Sequence, residues 1–101
     1  DQIAILPISE NYNEYAENVL KLLNNYDIRG FVDNRNEKVG KKIRESELGK
    51  VPFMLIVGEK EVENDQISVR QRGEGDLGSM SIEAFADLMK DAIAKELETN
   101  V

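Results

Sequence analysis

The spacing of apolar residues changes several times along the chain, and each change predicts a different element. Residues 2–7 form a short apolar run that ends at Pro7, as is typical of a strand buried on both faces. From Asn11 to Tyr26 the apolar positions recur at steps of three and four residues, which predicts an amphipathic helix. Residues 28–33 again have the composition of a buried strand. A helix between two such strands predicts a right-handed crossover that leaves the strands parallel.

The middle of the chain repeats this order of helix and strand. After a polar loop at residues 34–37, a second helix is predicted from about Lys38 to Leu48. Pro52 cannot donate a hydrogen bond to a sheet, so it marks the start of the most apolar strand, at residues 53–57. The apolar side of the second helix is predicted to contain Val39, Ile43 and Leu48, and its solvent side Lys41, Lys42, Arg44 and Glu45.

A β-hairpin is predicted after this strand. Residues 61–62 and 67–70 alternate apolar and polar positions on either side of a short polar turn. Because side chains alternate between the two faces of a strand, Glu61 and Arg70 are expected to point to the same outward side of the hairpin.

The chain closes with a glycine-rich segment and a further helix. Residues 73–78 are predicted to form a loop, and Ser81 is predicted to cap the helix that follows. The apolar side of that helix would contain Ile82, Phe85, Ala86, Met89, Ala92, Ile93 and Leu97. The complete order predicts an α/β fold in which helices pack around a mixed sheet.

Composition narrows the possible chemistry. The 101 residues fit one domain, and the 41% hydrophobic and 33% charged residues are typical of a folded globular protein. The chain has no cysteine and no histidine, which excludes disulfides, thiol nucleophiles, zinc sites of the usual ligand set and proton transfer by histidine. No apolar run approaches the roughly 20 residues that cross a bilayer, and no secretory leader is present, so a cytoplasmic protein is expected.

The net charge of −7 argues against a protein that binds nucleic acid through bulk attraction alone. Residues 28–50 are nevertheless net positive, with seven basic and four acidic groups. An anionic partner is therefore expected to dock on this segment. The alternative is a solvated helix face of mixed charge, which is common in soluble proteins.

The strongest candidate for binding chemistry is the segment at residues 33–45. It follows the carboxyl end of the second predicted strand, which is where open α/β sheets bind their ligands. Its asparagines can both donate to and accept from a base edge, and its arginines can donate a forked pair of hydrogen bonds. Single-stranded RNA offers unstacked bases for such contacts. The alternative is a plain loop followed by an ordinary amphipathic helix.

Catalytic signatures are weak throughout the sequence. The glycine-rich residues 73–78 lack the Gly-Lys-Ser/Thr ending of a phosphate-binding loop, so a simple connection is favoured there. Without histidine or cysteine, a nucleophile with an adjacent base is not found. A free-standing small α/β enzyme is therefore a remote alternative.

The motif at residues 33–45 also carries a family resemblance. It reads Asp33-x-Arg35-Asn36-Glu37-Lys38-x-Gly40-x-Lys42-Ile43-Arg44-Glu45, and further matches lie at residues 50–54, 57–63, 69–70 and 75–78. Together they resemble the C-terminal anticodon-binding domain of threonyl-tRNA synthetases over essentially the whole chain. The resemblance implies a three-layer α/β/α domain, with a five-stranded mixed sheet flanked by three helices. It also implies that residues 1–101 are a single domain excised from a larger synthetase.

The resemblance further implies a set of RNA-binding residues and no catalytic or metal-binding residue. These residues are Asn36, Lys38, Arg44, Lys50, Glu61 and Arg70, and they would recognise the threonine tRNA anticodon, whose second and third bases are G and U. Lys50 stands where some members have arginine, and a lysine there is better suited to phosphate than to a base. Glu61 and Arg70 are suited to select G, although a cross-strand surface ion pair is the alternative role for these two side chains.

The same resemblance implies the partners and the setting. The chain itself would need no cofactor, while a separate catalytic domain of the same polypeptide would attach threonine with ATP and carry zinc. The full-length enzyme is expected to be a homodimer with no membrane partner. Two alternatives stay open: an accessory or dimerisation domain that has lost RNA reading, and the equivalent domain of a prolyl-, histidyl- or glycyl-tRNA synthetase.

Overall fold

The computed structural model describes residues 2–99 of the chain, and the side chains of residues 2–91. The strands are β1 (Ile3–Pro7), β2 (Gly30–Val32), β3 (Phe53–Val57), β4 (Ile67–Gln71) and β5 (Gly75–Met80). The helices are α1 (Asn13–Asn24), α2 (Val39–Leu48), α3 (Glu59–Asn64) and α4 (Ile82–Thr99), and a 3-10 turn (Glu10–Tyr12) precedes α1. No helix in this part of the chain is long and apolar enough to cross a bilayer.

The five strands form one mixed sheet in the order β2-β1-β3-β4-β5. β1 lies parallel to both β2 and β3, whereas β4 runs antiparallel to its two neighbours, β3 and β5. Since β2 and β3 lie on opposite sides of β1, their two right-handed crossover helices are placed on opposite faces of the sheet. The predicted mixed sheet with an initial βαβ unit is therefore confirmed.

Two apolar clusters hold these layers together. The larger cluster lies between the sheet and helices α1 and α4, where the rings of Phe53 and Phe85 meet edge to face with centroids 5.6 Å apart. The smaller cluster consists of Ala4, Leu6 and Met54 and lies under α2. The α/β/α layering is thus confirmed. The predicted contributions of Ala92, Ile93 and Leu97 lie outside the described side chains.

The predicted strand at residues 61–62 is wrong, because these residues belong to α3. The helix begins after Gly58, and it ends at Asp65, which adopts the left-handed conformation with φ 53°. Six residues are too few to display a helical period. The apolar and polar positions around Glu61 and Val62 were therefore mistaken for the alternation of a strand. The described residues accordingly contain four α-helices rather than three.

The predicted loop at residues 73–78 is also mostly wrong. Only residues 72–74 form a turn, and Gly75–Met80 pair with β4 as the edge strand β5. Gly75 and Gly78 have φ values of 90° and 92°, and the register shifts beside Val69. Glycine is normally depleted in strands, so a glycine-rich segment was predicted to be a loop. An edge strand with a bulge, however, can use the positive φ that glycine adopts easily.

The predicted orientation of α2 is wrong at two positions. Lys42 is buried with 2% exposure, whereas Leu48 is 77% exposed. At about 100° per residue, Lys42 lies only about 60° from Val39 around the helix, while Leu48 lies about 180° from it. Helical geometry therefore places Lys42 on the inner side with Val39 and Ile43, and hydrophobicity alone misassigns both residues.

Candidate nucleic-acid interface

One side of the sheet is only partly covered by a helix. The smaller cluster shows α2 packed over β1 and β3, and the neighbouring strands β4 and β5 are left open on that side. Ile67 and Val69 of β4 point into the opposite, larger cluster. By strand alternation, Ser68 and Arg70 therefore face the uncovered side, together with Ser79 of β5, which pairs with Ser68. We call this surface of Ser68, Arg70 and Ser79 the open face.

Arg70 has unused hydrogen-bonding capacity on the open face. Its Nε lies 3.9 Å from Glu47 Oε1, which permits an ion pair but is too long for a hydrogen bond. The Nε atom is buried and has no hydrogen-bond partner among the described residues, although the side chain as a whole is 38% exposed. The two Nη atoms are not buried in this way and donate no hydrogen bond to the described residues, so this end of the guanidinium is open to an incoming acceptor.

Glu61 approaches the open face from α3. Its Oε2 accepts a hydrogen bond of 3.0 Å from Ser68 Oγ, which in turn lies 3.1 Å from Ser79 Oγ. Ser68 and Arg70 are two positions apart on β4, a separation of about 7 Å along a strand. Glu61 and Arg70 therefore border the same surface, as predicted, although a helix and not a hairpin brings them there. They form no ion pair with each other within the described residues.

The end of α3 that carries Glu61 is fixed by Tyr15 of α1. The phenol hydroxyl donates to Gln66 O at 2.8 Å and to Glu61 O at 3.2 Å. Burial raises the pKa of the Tyr15 hydroxyl, and the carboxylates of Asp65 and Glu61 raise it further. The hydroxyl therefore keeps its proton and remains a donor to these carbonyls.

The loop between β2 and α2 carries Asn36 and Lys38, both of which are exposed. Lys38 is the residue that precedes the first turn of α2, with extended backbone. Beside them, Arg35 donates from Nε and Nη2 to the two carboxylate oxygens of Asp33, at 2.8 Å each, and from Nη1 to Glu45 at 3.1 Å. The hydrogen bonds from Arg35 hold the pKa of the Asp33 carboxyl below its usual value despite burial.

Asn36 also lines a polar cleft of about 340 Å³ at the carboxyl ends of β1 and β2. Its other lining residues include Ser9, Asn11, Asn13 and Asn34. The Oδ1 atom of Asn13 is buried there without a hydrogen-bond donor among the described residues. This is the edge of the sheet at which the sequence predicted a binding segment.

Arg44 lies on a separate groove of about 620 Å³ along α2. Glu47, Leu48 and Arg72 also line it. Arg72 Nε donates to Glu47 O at 3.0 Å, and the backbone N–H of Lys50 donates to the same oxygen at 3.1 Å. Lys50 is exposed, with φ 61°, in the turn after α2. Arg44 and Lys50 therefore lie near Glu47, whose carboxylate forms the ion pair with Arg70.

The structure brings the candidate residues together in two groups. The first group, Asn36 and Lys38, lies just before α2. The second begins with Arg44, about 9 Å further along the helix axis, and includes Lys50 in the turn after the helix. Arg70 belongs to the second group through Glu47. In the described part of the chain, no His, Cys, Asp or Glu cluster is arranged to hold a metal ion.

Comparison with known proteins places this arrangement in a family. The family model described as "Anticodon binding domain" matches residues 2–92. The chain belongs to the anticodon-binding domain family. This result confirms the family resemblance of the motif at residues 33–45.

Two bacterial relatives of this anticodon-binding domain are threonine–tRNA ligases. The protein of Bacteroides thetaiotaomicron is 56% identical over 93 residues, which cover 92% of this chain and 14% of the relative. The protein of Cytophaga hutchinsonii is 58% identical over 97 residues, which cover 96% of this chain and 15% of the relative. The domain thus spans about one seventh of the length of these curated relatives.

A solved structure supports the same assignment of the anticodon-binding domain. It is the crystal structure of the RNA-binding domain of threonyl-tRNA synthetase from Cryptosporidium parvum, at 27% identity and a TM-score of 0.83. The match covers 89% of this chain and 23% of that one. The predicted domain type, an anticodon-binding domain of the threonyl-tRNA synthetase kind, is therefore confirmed.

Three residues of the domain's polar network are absent from the set predicted from sequence: Lys42, Glu47 and Ser68. Each contacts a predicted residue or the loop that carries one. Lys42 could have been found from its position on the inner side of α2, and Ser68 from its outward position on β4. Glu47 gives no such signal, because one acidic residue on a charged helix resembles any other.

Proposed function

We propose that this domain binds the anticodon loop of threonine tRNA on the open face and distinguishes its second and third bases, G and U. The observation that carries the proposal is that Arg70 is 38% exposed on this face and donates no hydrogen bond to the described residues. Glu61 is held at the edge of the same surface by Ser68. A donor and an acceptor thus border the same face of the sheet, beside α2.

This pair has the chemistry needed to select guanine. The Glu61 carboxylate can accept from the N1–H and the exocyclic amine of G, while Arg70 donates to O6 or N7 of the base that it faces. Adenine reverses the donor and acceptor at N1 and C6, so it would leave these groups unpaired. An unpaired, desolvated polar group costs about 1–3 kcal/mol, which is enough for substantial discrimination.

The remaining residues are assigned by their chemistry and position. Asn36 suits uracil, because its amide can accept from the single ring N–H and donate to a carbonyl. Lys38 and Lys50 are exposed at opposite ends of α2 and are assigned to backbone phosphates. Arg44 lies on the groove between these ends and can contact either a phosphate or a base edge.

The distribution of charge supports the same surface. The net-positive residues 28–50 fold into β2, the following loop and α2, which borders the open face. The rest of the chain is acidic and would repel RNA from other directions. The surface charge therefore favours docking beside α2.

In the whole protein, we propose that this domain positions the tRNA while a separate catalytic domain attaches threonine. That domain would bind ATP and zinc, and the full-length enzyme would act as a homodimer in the cytoplasm, where translation takes place. These assignments rest on the similarity to threonine–tRNA ligases.

Substitutions on the open face test the proposal in the full-length ligase. We expect Arg70→Ala and Glu61→Ala each to lower kcat/KM for threonine tRNA by about 10- to 100-fold, the equivalent of about 1–3 kcal/mol per contact. Threonine-dependent exchange between ATP and pyrophosphate, which requires no tRNA, should stay within twofold of the wild-type rate. Steady-state kinetics of both reactions give the comparison.

Lys90→Ala serves as the control, because Lys90 lies outside residues 28–50 and is exposed on α4, which packs on the opposite face of the sheet from α2. It should leave both reactions unchanged. Equal losses of amino-acid activation and tRNA use in the Arg70 and Glu61 variants would contradict the proposal. An unchanged kcat/KM for tRNA would instead favour an accessory domain that does not read RNA.

A further inference from the structure

We infer that Asp33, Arg35, Lys42 and Glu45 form a polar brace that holds Asn36 in its RNA-binding position. The inference rests on the proposed function and adds positioning residues to it. None of the four is among the residues to which an RNA contact is assigned above. Their common feature is that every one of them joins the loop at residues 33–38 to α2 or to the ends of the neighbouring strands.

The first part of the brace is Lys42. Its side chain is buried, with 2% exposure, although α2 is otherwise a charged surface helix. The Nζ atom donates to Asp33 O at 2.8 Å and to Pro7 O at 3.1 Å. A buried ammonium group is unfavourable unless its donors are paired, so these two carbonyls fix where the side chain can lie. Lys42 thereby ties α2 to the last residues of β1 and to the residue that follows β2.

The second part is the fork from Arg35. The Arg35 guanidinium donates to both oxygens of the Asp33 carboxylate at 2.8 Å, and its third nitrogen donates to Glu45 at 3.1 Å. Asp33 is 8% exposed and its Oδ1 also accepts from the backbone N–H of Arg35, at 3.3 Å. The planar guanidinium thus joins the start of the loop to the middle of α2 with three side-chain hydrogen bonds. Such bidentate geometry is specific to arginine.

Asn36 lies between two residues of the loop whose side chains are paired with other groups. Arg35 precedes it, and Glu37, which follows it, is paired with Lys41 of α2 at 3.3 Å. The loop is therefore attached to α2 on both sides of Asn36, while the Asn36 side chain stays exposed. Fixing a loop before binding removes part of the entropic cost of ordering it on the ligand. The brace should accordingly strengthen tRNA binding through Asn36 without touching RNA.

Kinetics of the full-length ligase test this positioning role. Arg35→Lys keeps the positive charge but loses the paired hydrogen bonds to Asp33. Glu45→Gln weakens the contact between residue 45 and Arg35. Lys42→Met removes the buried ammonium group while keeping an unbranched side chain. We expect each to raise KM for threonine tRNA by about 3- to 20-fold, with kcat and threonine activation within twofold of wild type. The matched controls are Arg29→Lys and Lys21→Met, which make the same chemical changes at exposed positions and should leave KM unchanged.

Coupling to Asn36 separates positioning from a general structural effect. If the brace acts through Asn36, adding Arg35→Lys to Asn36→Ala should change KM by less than twofold beyond Asn36→Ala alone. A full additional loss in that background would overturn the inference, as would a wild-type KM in both Arg35→Lys and Glu45→Gln. These two variants alter exposed groups, so the test stands even if Lys42→Met does not fold.

The same experiment distinguishes failure of the brace from failure of the proposed function. If Asn36→Ala and Arg70→Ala raise KM but the brace variants do not, only the brace is overturned. If neither Asn36→Ala nor Arg70→Ala affects tRNA use, the proposed function fails and the brace fails with it.

Discussion

At the scale of single residues, Asp33 shows how burial and pairing oppose each other in this domain. Its side chain is 8% exposed, and burial alone would raise the pKa of the carboxyl. The hydrogen bonds from Arg35 outweigh that effect and lower the pKa below its ordinary value of 3.8. The folded protein therefore holds the Asp33 proton less tightly than the unfolded chain does, which links stability to pH.

The sign of this linkage gives a prediction. A depressed pKa contributes stability that is present above about pH 4 and is lost as the pH falls through the lower, folded-state value. We expect the free energy of unfolding to fall more steeply with acidification in the wild type than in Asp33→Asn, which has no proton to bind at this position. Urea unfolding at a series of pH values from 7 to 2 measures the two slopes. Parallel curves would show that the Arg35 contact does not perturb Asp33.

Prediction of the inner side of α2 succeeded for Val39 and Ile43 but failed for Lys42 and Leu48. Val39 and Ile43 lie on the inner side of α2 as predicted, but so does Lys42. Sequence rules place lysine in water because a buried ammonium is costly, and they cannot detect that Pro7 and Asp33 supply two carbonyls to pair with it. Those partners are 35 and 9 residues away along the chain.

At the scale of elements, the pairing of β1 with β2 depends on a glycine. Ile3 lies opposite Gly30, and a Cβ at Gly30 would lie 2.2 Å from Ile3 Cγ1 and 2.3 Å from Ile3 O. The second of these atoms is backbone and cannot move aside without disturbing the strand. By contrast, a Cβ at Gly40, in the first turn of α2, has no neighbour within 4 Å.

These two glycines should respond in opposite directions to alanine. We expect Gly30→Ala to lower the free energy of unfolding by about 1–3 kcal/mol or more, because of the clash in a packed sheet. Gly40→Ala should raise it by about 0.5–1 kcal/mol, since alanine is the better helix former and meets no obstacle. Chemical denaturation of both variants under one set of conditions tests the pair, and equal effects would contradict the close approach of β1 and β2.

Most elements were predicted from sequence, but α3 and β5 were not. β1, α1, α2 and β3 lie within a few residues of their predicted bounds. The six-residue α3 is shorter than two helical turns, so no period can identify it. β5 was missed because its glycines resemble a loop, and only pairing with β4 makes it a strand.

At the scale of the whole molecule, the acidic net charge and the proposed role in RNA binding are compatible. The positive segment at residues 28–50 borders the open face, so the charge of −7 is unevenly distributed over the surface. The domain also accounts for only about one seventh of the curated ligases that it matches. The family could be predicted from the motif at residues 33–45, whereas the open face could not, because it requires knowing which strands α2 leaves uncovered.

If Glu61 and Arg70 select the second anticodon base, then replacing Glu61 should change the specificity for that base. Kinetics of the full-length ligase would compare threonine tRNA with a variant in which this G is replaced by A, for the wild type and for Glu61→Gln. Glu59→Gln, an exposed glutamate in the same helix, is the matched control. We expect kcat/KM to favour G by about 10- to 100-fold in the wild type and in Glu59→Gln. We expect a severalfold smaller preference in Glu61→Gln, because glutamine can donate as well as accept. The same preference in Glu61→Gln as in the wild type would show that the Glu61 carboxylate does not select this base.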